Sequence, residues 1–333
     1  MELDVISRRV IRELCMDSRV PVSVMAERIG CSRSTVASRI RFVEKTAGLK
    51  YVVEPDMARL GLNFSYFIGV KLRRELPEKD LIPLLEESPI PQFAAFCKGE
   101  FDLLLFAAAR NELEFMRWAF NFRSALSDEI VSWNASHLVF ARYGVFPLND
   151  ATLARSTLPS PKKALLMELN RDSSQKYKEL ARRLKTTVPS LRYYFRLLEK
   201  SGCVKRFTAF MQNPMKSVHL VNFRHYTYQA EHEEMSKRDR VLIKTEEPYQ
   251  VPNTNSFVVE TAGAADAFHW VSADDVKAAY AELKKAEQLY QGYLRTESAI
   301  VEKVIYGLWP VRALDMEKVY DSSSWDKRED MEG

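Results

Sequence analysis

The chain has 333 residues, 46% apolar and 28% charged, the balance of a soluble globular protein long enough for two or more cores. No run of about 18 apolar residues argues for a membrane span, and the opening MELDVISRR lacks the basic-then-apolar layout of a secretory leader, so a cytoplasmic location is expected. The net charge of +4 is unevenly spread: residues 1–55 carry +3, residues 158–212 carry +9, and the remainder sums to −8, which points to a polyanionic partner for two short blocks.

Val5, Val10, Ile11 and Leu14 recur near helical spacing and predict a first helix ending around Asp17 and Ser18. Ser23 is the expected N-cap of a short second helix that turns Met25, Ala26 and Ile29 inward and stops at Gly30. Ser32 then caps a third helix whose apolar side is Val36, Ile40 and Val43. After Gly48, LKYVVEP has the β-branched and aromatic character of a strand, expected as part of a hairpin wing. A short second helix, a tight turn and a third helix make a helix-turn-helix, and the hairpin makes it winged.

Downstream, LNFSYFIGVKL reads as a strand and EKDLIPLLEESP as a short amphipathic helix. PQFAAFCKGEFDLLLFAAA reads as two strands around a turn, ELEFMRWAFNFRSAL as a helix and IVSWNASHLVFARYGVF as a long strand. The order β-α-β-β-α-β is that of a ferredoxin-like unit. Phe115, Trp118 and Phe122 sit at i, i+3 and i+7, the spacing of a core-facing helix side rather than a cofactor box.

The same plan then recurs. At a constant offset of 155, Leu14 matches Leu169, Asp17 matches Asp172, Ala26 matches Ala181, Arg28 matches Arg183, Glu44 matches Glu199 and Lys50 matches Lys205. Three helices are expected over 160–170, 177–184 and 188–200, followed by the strand CVKRFTAF. VHLVNFRHYTYQ, a charged helix near 231–243, NSFVVETAGAADAFHWVSA, ADDVKAAYAELKKAEQLY and SAIVEKVIYGLW repeat the ferredoxin-like order. Both central hairpins carry a GxxD turn, Gly99 with Asp102 and Gly263 with Asp266. The expected class is α+β: two winged helix-turn-helix domains (1–55 and 158–212), each followed by a ferredoxin-like βαββαβ, RAM-type domain (62–148 and 217–312). A polar, acidic tail over 321–333 is expected to be disordered, with Trp325 a candidate docking point.

Small hydroxyls at the start of the third helix let the backbone approach a groove, while arginines pair with phosphate or bond guanine bidentately. This marks Ser32, Arg33, Ser34, Thr35, Ser38, Arg39 and Arg41, with Lys50 on the next strand, as candidate contacts to double-stranded DNA. In the second copy the candidates are Thr187, Ser190, Arg192, Tyr193 and Arg196, with Lys205 and Arg206 on the wing. The second copy is the more basic, so counterion release, and with it sequence-independent affinity, is expected to lie mostly there.

This arrangement resembles the leucine-responsive regulator/AsnC (Lrp/AsnC) family of transcription factors. The residues that carry it are Leu3-Asp4, Leu14, Asp17-Ser18-Arg19, Ala26, Gly30-x-Ser32, Val36, Arg39-Ile40-Arg41, Glu44, Gly48, Pro55, Leu60-Gly61 and Lys98-Gly99-x-Phe101-Asp102. The resemblance spans nearly all of 1–148 and, more weakly, 158–310. It implies a sequence-specific DNA-binding regulator whose ferredoxin-like domains assemble through their sheets and bind an amino acid or similar effector, assigned to Gly99, Asp102, Gly263 and Asp266. Family members usually carry one unit and dimerise; this chain carries two, implying a homo-oligomer or an intramolecular pseudo-dimer. The second copy also has Lys185 at the turn where the first has Gly30.

Two rival classes share these features. Siroheme decarboxylases of the alternative haem pathway resemble this family in fold and domain order, and such an enzyme needs cationic and imidazole groups to hold carboxylates and assist proton transfer. Its candidates are His137, His219 and His225, with Arg142 and Arg224; His219 and His225, six apart, share a face of one strand and read as a surface pair. A winged-helix protein-docking adaptor is the third class. No P-loop, GxGxxG, HExxH or GxSxG occurs, and neither the five histidines nor the scattered Cys15, Cys31, Cys97 and Cys203 have metal-ligand or disulfide spacing, so no metal or cofactor is expected.

Overall fold

The structure is a computed structural model that describes residues 4–138, 147–211, 218–226, 249–250, 256–273, 275–289 and 293–308. Arg142, the expected helix near 231–243 and the tail with Trp325 lie outside the described residues.

Three helices open the chain: α1 (Val5–Met16), α2 (Val22–Ile29) and α3 (Arg33–Ala47). Asp4 caps α1, its carboxylate accepting from the Ser7 amide at 2.7 Å. The boundary of α2 departs from expectation: Pro21 holds the cap position and Ser23 lies inside the helix, because the proline's fixed φ already suits the entry. Val10, Ile11, Leu14, Met25, Ile29, Val36 and Val43 form one core. The second set is α7 (Ser160–Arg171), α8 (Tyr177–Arg183) and α9 (Val188–Lys200), around Leu165, Leu169, Leu180, Leu191, Phe195 and Leu198. Between the two sets, the short helix α6 (Asp150–Ala154) precedes α7.

The wings are not hairpins. Strand β1 (Leu49–Pro55), which follows α3, pairs antiparallel with β6 (Val204–Met211), which follows α9; Val52 faces Thr208 and Val53 faces Phe207. Val52 packs into the first head's core and Val53 into the second's, while Ala209 and Phe210 of β6 join the first. Residues 52–55 are all buried, so the second half of β1 is shared between the heads and has no solvent face to offer as a wing. Ser18 and Ser173, separated by the repeat offset of 155, meet hydroxyl to hydroxyl at 3.1 Å. The Ser18 amide donates to the Phe207 carbonyl at 3.0 Å and, reciprocally, the Ser173 amide donates to the Tyr51 carbonyl at 2.8 Å. A local two-fold therefore runs through the seam between the heads.

The first ferredoxin-like set comprises β2 (Phe64–Leu72), α4 (Glu78–Glu86), β3 (Pro91–Gly99), β4 (Leu103–Ala109), α5 (Glu112–Ala125) and β5 (Ile130–Leu138). The second comprises β7 (Val218–Tyr226), the short β8 (Tyr249–Gln250), β9 (Ser256–Gly263), β10 (Ala267–Ala273), α10 (Val276–Leu289) and β11 (Tyr293–Tyr306). Each set orders its strands alike, β3-β4-β2-β5 and β9-β10-β7-β11. The edges join as β5 to β9 and β11 to β3, which closes eight antiparallel strands into a barrel, with β8 added on β9. Alternate side chains fill the interior: Phe67 stacks on Phe268 at 3.8 Å, Phe101 meets Phe223 edge-on and Phe93 meets Trp270 edge-on. On the outer face, Phe115, Trp118 and Phe122 of α5 and Leu81 and Leu85 of α4 cover Ile68 and Val70, as the helical spacing predicts. Ala279 and Leu283 of α10 cover Leu220 and Val271 in the same way.

Candidate nucleic-acid interface

The turn between α2 and α3 is made by Gly30, left-handed at φ 77°. Ser32 caps α3: its hydroxyl accepts from the Thr35 amide at 3.1 Å and lies 2.8 Å from both the Ser34 and Thr35 hydroxyls. The three hydroxyls are thus tied into one cluster at the helix N-terminus. With Val36 and Val43 buried, Arg33, Ser34, Ser38 and Arg41 are left exposed on the opposite side of α3, and Lys50 is exposed on β1.

Arg39 is the exception within this head. Its guanidinium reaches the Asp4 carboxylate at 2.7 Å and lies over the Phe42 ring. That carboxyl is held below the ordinary aspartate range, chiefly by the Ser7 amide, with a smaller contribution from Arg39. Arg39 thus ties α3 to the start of α1 through an ion pair that stays partly exposed, its side chain at 36%.

In the second head Lys185 takes the left-handed conformation of Gly30, at φ 49°, so the same turn is built on a residue that bears a Cβ. Thr187 caps α9, its hydroxyl accepting from the Ser190 amide at 3.3 Å and donating to the Ser190 hydroxyl at 2.9 Å. Arg192, Tyr193 and Arg196 are exposed, Tyr193 at 60%, while Tyr194 is half-buried beside it. Arg192 also lies over the Tyr177 ring at 5.6 Å.

The two expected wing cations are not part of this surface. Arg206 donates to the Glu54 carboxylate directly across the β1–β6 ladder, and the side chains are only 16% and 5% exposed. Lys205 lies half-buried beside the irregularity of that ladder. Arg206 thus serves the seam between heads. A sequence contact missed in that seam is Arg19: its guanidinium sits 5.2, 5.1 and 5.4 Å from the Tyr177, Phe195 and Phe207 rings and donates to the Ser173 carbonyl at 3.0 Å.

The GxxD turns have a structural explanation. Asp102 accepts from Lys71 Nζ at 2.9 Å and from the Leu72 amide at 2.8 Å. A Cβ on Gly99 would fall 2.4 Å from the Ser298 carbonyl oxygen on β11, and one on Gly263 would fall 3.0 Å from the Ala135 carbonyl oxygen on β5. Each glycine lets the partner unit's edge strand approach, and Asp266 belongs to the Gly263 turn, its carbonyl accepting from the Thr261 amide.

Among the described residues, those proposed for an enzyme do not converge. His219 and His225 turn into the barrel, so they are not a surface pair. His219 is buried, accepts from Trp270 Nε1 at 3.2 Å and has its pKa pushed down to about 3 by burial. His225 stands 3.7 Å from the Glu297 carboxylate. His137 lies on the helix-bearing face against Phe64 and Tyr66. Arg224 also lies on that face, fully buried, with its Nη2 2.6 Å from Nδ1 of His269, a histidine that sequence reading did not single out; burial, and then Arg224, hold His269 well below its ordinary pKa. Among the described residues no group of three His, Cys, Asp or Glu is placed to hold a metal ion, and no helix is long and apolar enough to cross a membrane.

Comparison with known proteins bears on the first head directly. Residues 3–41 match the AsnC-type helix-turn-helix domain. The proline dehydrogenase transcriptional activator of Rhodobacter capsulatus is 29% identical over 120 residues, 34% of this chain and 77% of that protein. The HTH-type transcriptional regulator AldR of Mycolicibacterium smegmatis is 28% identical over 151 residues, 44% of this chain and 87% of that protein. One regulator length thus corresponds to less than half of this polypeptide, and that part of the chain is similar to Lrp/AsnC-type regulators. The siroheme decarboxylase NirDL shares the fold over 98% of this chain and 100% of its own, with a TM-score of 0.55 at 11% identity. At that identity the likeness is one of fold.

Proposed function

We propose that this chain is a DNA-binding transcriptional regulator that carries two helix-turn-helix heads on one polypeptide, a covalent counterpart of a dimer of Lrp/AsnC units. The reading divides the chain into heads over 1–55 and 158–212 and ferredoxin-like bodies over 62–148 and 217–312. The observation that carries it is the reciprocal seam at Ser18, Ser173, Tyr51 and Phe207, which fixes α3 and α9 about a local two-fold while their arginine-bearing sides stay exposed. Two heads held in fixed relation bind two half-sites with high effective concentration, since the second encounter is intramolecular. The half-sites differ, because the exposed sides differ: Arg33, Ser34, Ser38 and Arg41 in one head, Arg192, Tyr193 and Arg196 in the other. Arginine at a helix start favours guanine, whereas tyrosine offers contact to a thymine methyl or to sugar. Effector binding is outside the proposal, because the four GxxD residues are taken up by the turns and the barrel seams.

The test is selection of duplexes from a random pool followed by footprinting. The reading expects one asymmetric site with two protected half-sites, weakened at one half by Arg33→Ala and at the other by Arg196→Ala. Indifference to duplex DNA at low ionic strength would overturn it, and retention of a partner protein instead would favour the adaptor class.

The siroheme decarboxylase reading draws on the whole-chain likeness of fold. Against it stands the scatter of its candidate groups over both faces of the barrel. A red or green purified protein with a Soret band would revive it.

A further inference from the structure

Position by position at the offset of 155, the starts of α3 and α9 differ in chemistry. The first two turns of α3 hold Arg33, Ser34 and Ser38 in solvent, three side chains that carry N–H or O–H groups. Their counterparts on α9 are Val188, Pro189 and Tyr193. Pro189 and Tyr193 are exposed and lie four apart, so they share one side of the helix, while Val188 is half-buried against the second head's core. Hydrogen-bonding groups in one head thus correspond to carbon surface in the other, and of the three only Tyr193 keeps a hydroxyl at its tip.

The exposed ring of Tyr193 is braced from behind. It stands against Tyr194, with centroids 5.7 Å apart and planes at 58°, and Tyr194 packs on the second head's core. Arg192 beside it is drawn over the Tyr177 ring, and Arg196 is exposed one turn further on. Cations suited to phosphate therefore flank an apolar centre. The N-terminal residues of a recognition helix are the ones that reach base edges. In the major groove those edges offer acceptors, amino donors and, on thymine alone, a methyl group. Polar side chains address the first two, and the carbon surface of Pro189 and Tyr193 complements the third.

We propose that Tyr193, with Pro189, makes the second head a reader of thymine through its 5-methyl group. The two half-sites then differ in the kind of signal read: hydrogen-bonding base edges under the first head, methyl groups under the second. This rests on the DNA-binding reading above and names the specificity determinant within it. A methyl group seated between the ring and the proline leaves water, which contributes about fourfold in affinity per thymine on the usual scale for one buried carbon.

The test starts from the duplex selected from a random pool, with the second head's half-site assigned by its sensitivity to Arg196→Ala. Each thymine of that half-site is replaced by deoxyuridine, which removes the methyl group and keeps the base pair. By fluorescence anisotropy, wild type is expected to bind the uracil duplex about fourfold more weakly, and more so where two methyl groups are met. Tyr193→Ser, which installs the first head's side chain, is expected to bind both duplexes equally. Tyr193→Phe is expected to keep the wild-type ratio, since the ring and not the hydroxyl meets the methyl group. Both variants should melt as wild type does, because the position is exposed. The comparison is a double-mutant cycle between one side chain and one methyl group, so a general loss of affinity, or an effect of uracil on the duplex itself, cancels. A selected half-site without thymine, a wild type that binds the two duplexes equally, a Tyr193→Ser protein that still prefers thymine, or a Tyr193→Phe protein that does not, would each overturn the inference while leaving DNA binding in place. Failure to bind any duplex at low ionic strength would instead sink the functional reading, and this inference with it.

Discussion

Arg206 separates two accounts of the second head. Read from the sequence it is a phosphate contact on a wing; in the structure it holds the Glu54 carboxylate across the strand pair that locks the heads together. Arg206→Ala leaves a carboxylate in a site only 5% exposed without that cation, a change that costs about 3 kcal/mol in buried pairs. The companion change Glu54→Leu with Arg206→Met replaces both charges by apolar groups and should recover most of the loss, since the desolvation penalty disappears with the pair. Urea unfolding followed by circular dichroism measures this as a fall in the midpoint for Arg206→Ala and its return in the double variant. Duplex affinity measured against salt concentration supplies the contrast: each neutralised phosphate adds about 0.9 to the slope of log K against log salt. The seam account expects that slope to be unchanged in the double variant. A single variant as stable as wild type with a slope reduced by about 0.9 would show Arg206 on phosphate and refute the assignment.

On α3, Arg33→Ala is expected to lower duplex affinity at least tenfold at 150 mM salt, whereas Arg39→Ala, already committed to Asp4, changes it less than threefold; fluorescence anisotropy distinguishes them. Lys185→Gly relieves a left-handed residue in the turn before α9 and should stabilise the protein by about 1 kcal/mol, seen as a higher thermal midpoint. His219 has a folded pKa of about 3 against 6.5 unfolded, so protonation favours the unfolded chain and stability falls as pH drops through 6.5. Between pH 7.5 and 5.5 this one group accounts for about 1.4 kcal/mol, and His219→Gln should flatten that part of the profile in denaturation curves.

Much of the fold is legible in the sequence because it is local and repeated. The 155-residue offset locates both helical heads, and the spacing of Phe115, Trp118 and Phe122 identifies the inner side of α5. What escapes is every contact that depends on partner choice over long distance. LKYVVEP reads correctly as a strand, yet its mate lies 155 residues on, and a hairpin is the default pairing for a strand with no visible partner. The clue was available: Val52, Val53, Glu54 and Pro55 lack the alternation of a strand with one wet face. Arg39 looks free on a helical wheel because Asp4, 35 residues earlier, enters only once α1 is docked. The GxxD glycines read correctly as turn residues, but the sequence does not show that each also makes room for the other unit's backbone, which stands where a Cβ would go. His219 and His225 share a face, as their spacing requires, but closure of the sheet turns that face inward.

Joining the two units in one chain lifts a constraint that binds homodimers, in which every residue occurs on both sides of the axis. Arg19 inserts among Tyr177, Phe195 and Phe207, while its counterpart at the repeat offset is Ser174, so this cation–aromatic contact exists once. Gly30 has Lys185 as its counterpart, Ser38 has Tyr193 and Arg33 has Val188, all at or near the turn and reading helix. The barrel core and the reciprocal Ser18 and Ser173 contacts keep their two-fold character, whereas the exposed sides have diverged. The heads are free to differ because each is encoded separately. A symmetric dimer on a palindrome has no preferred direction. Under the proposed function, a chain with two unlike heads at a fixed spacing binds an asymmetric site in one orientation only, so the body always faces the same side of that site.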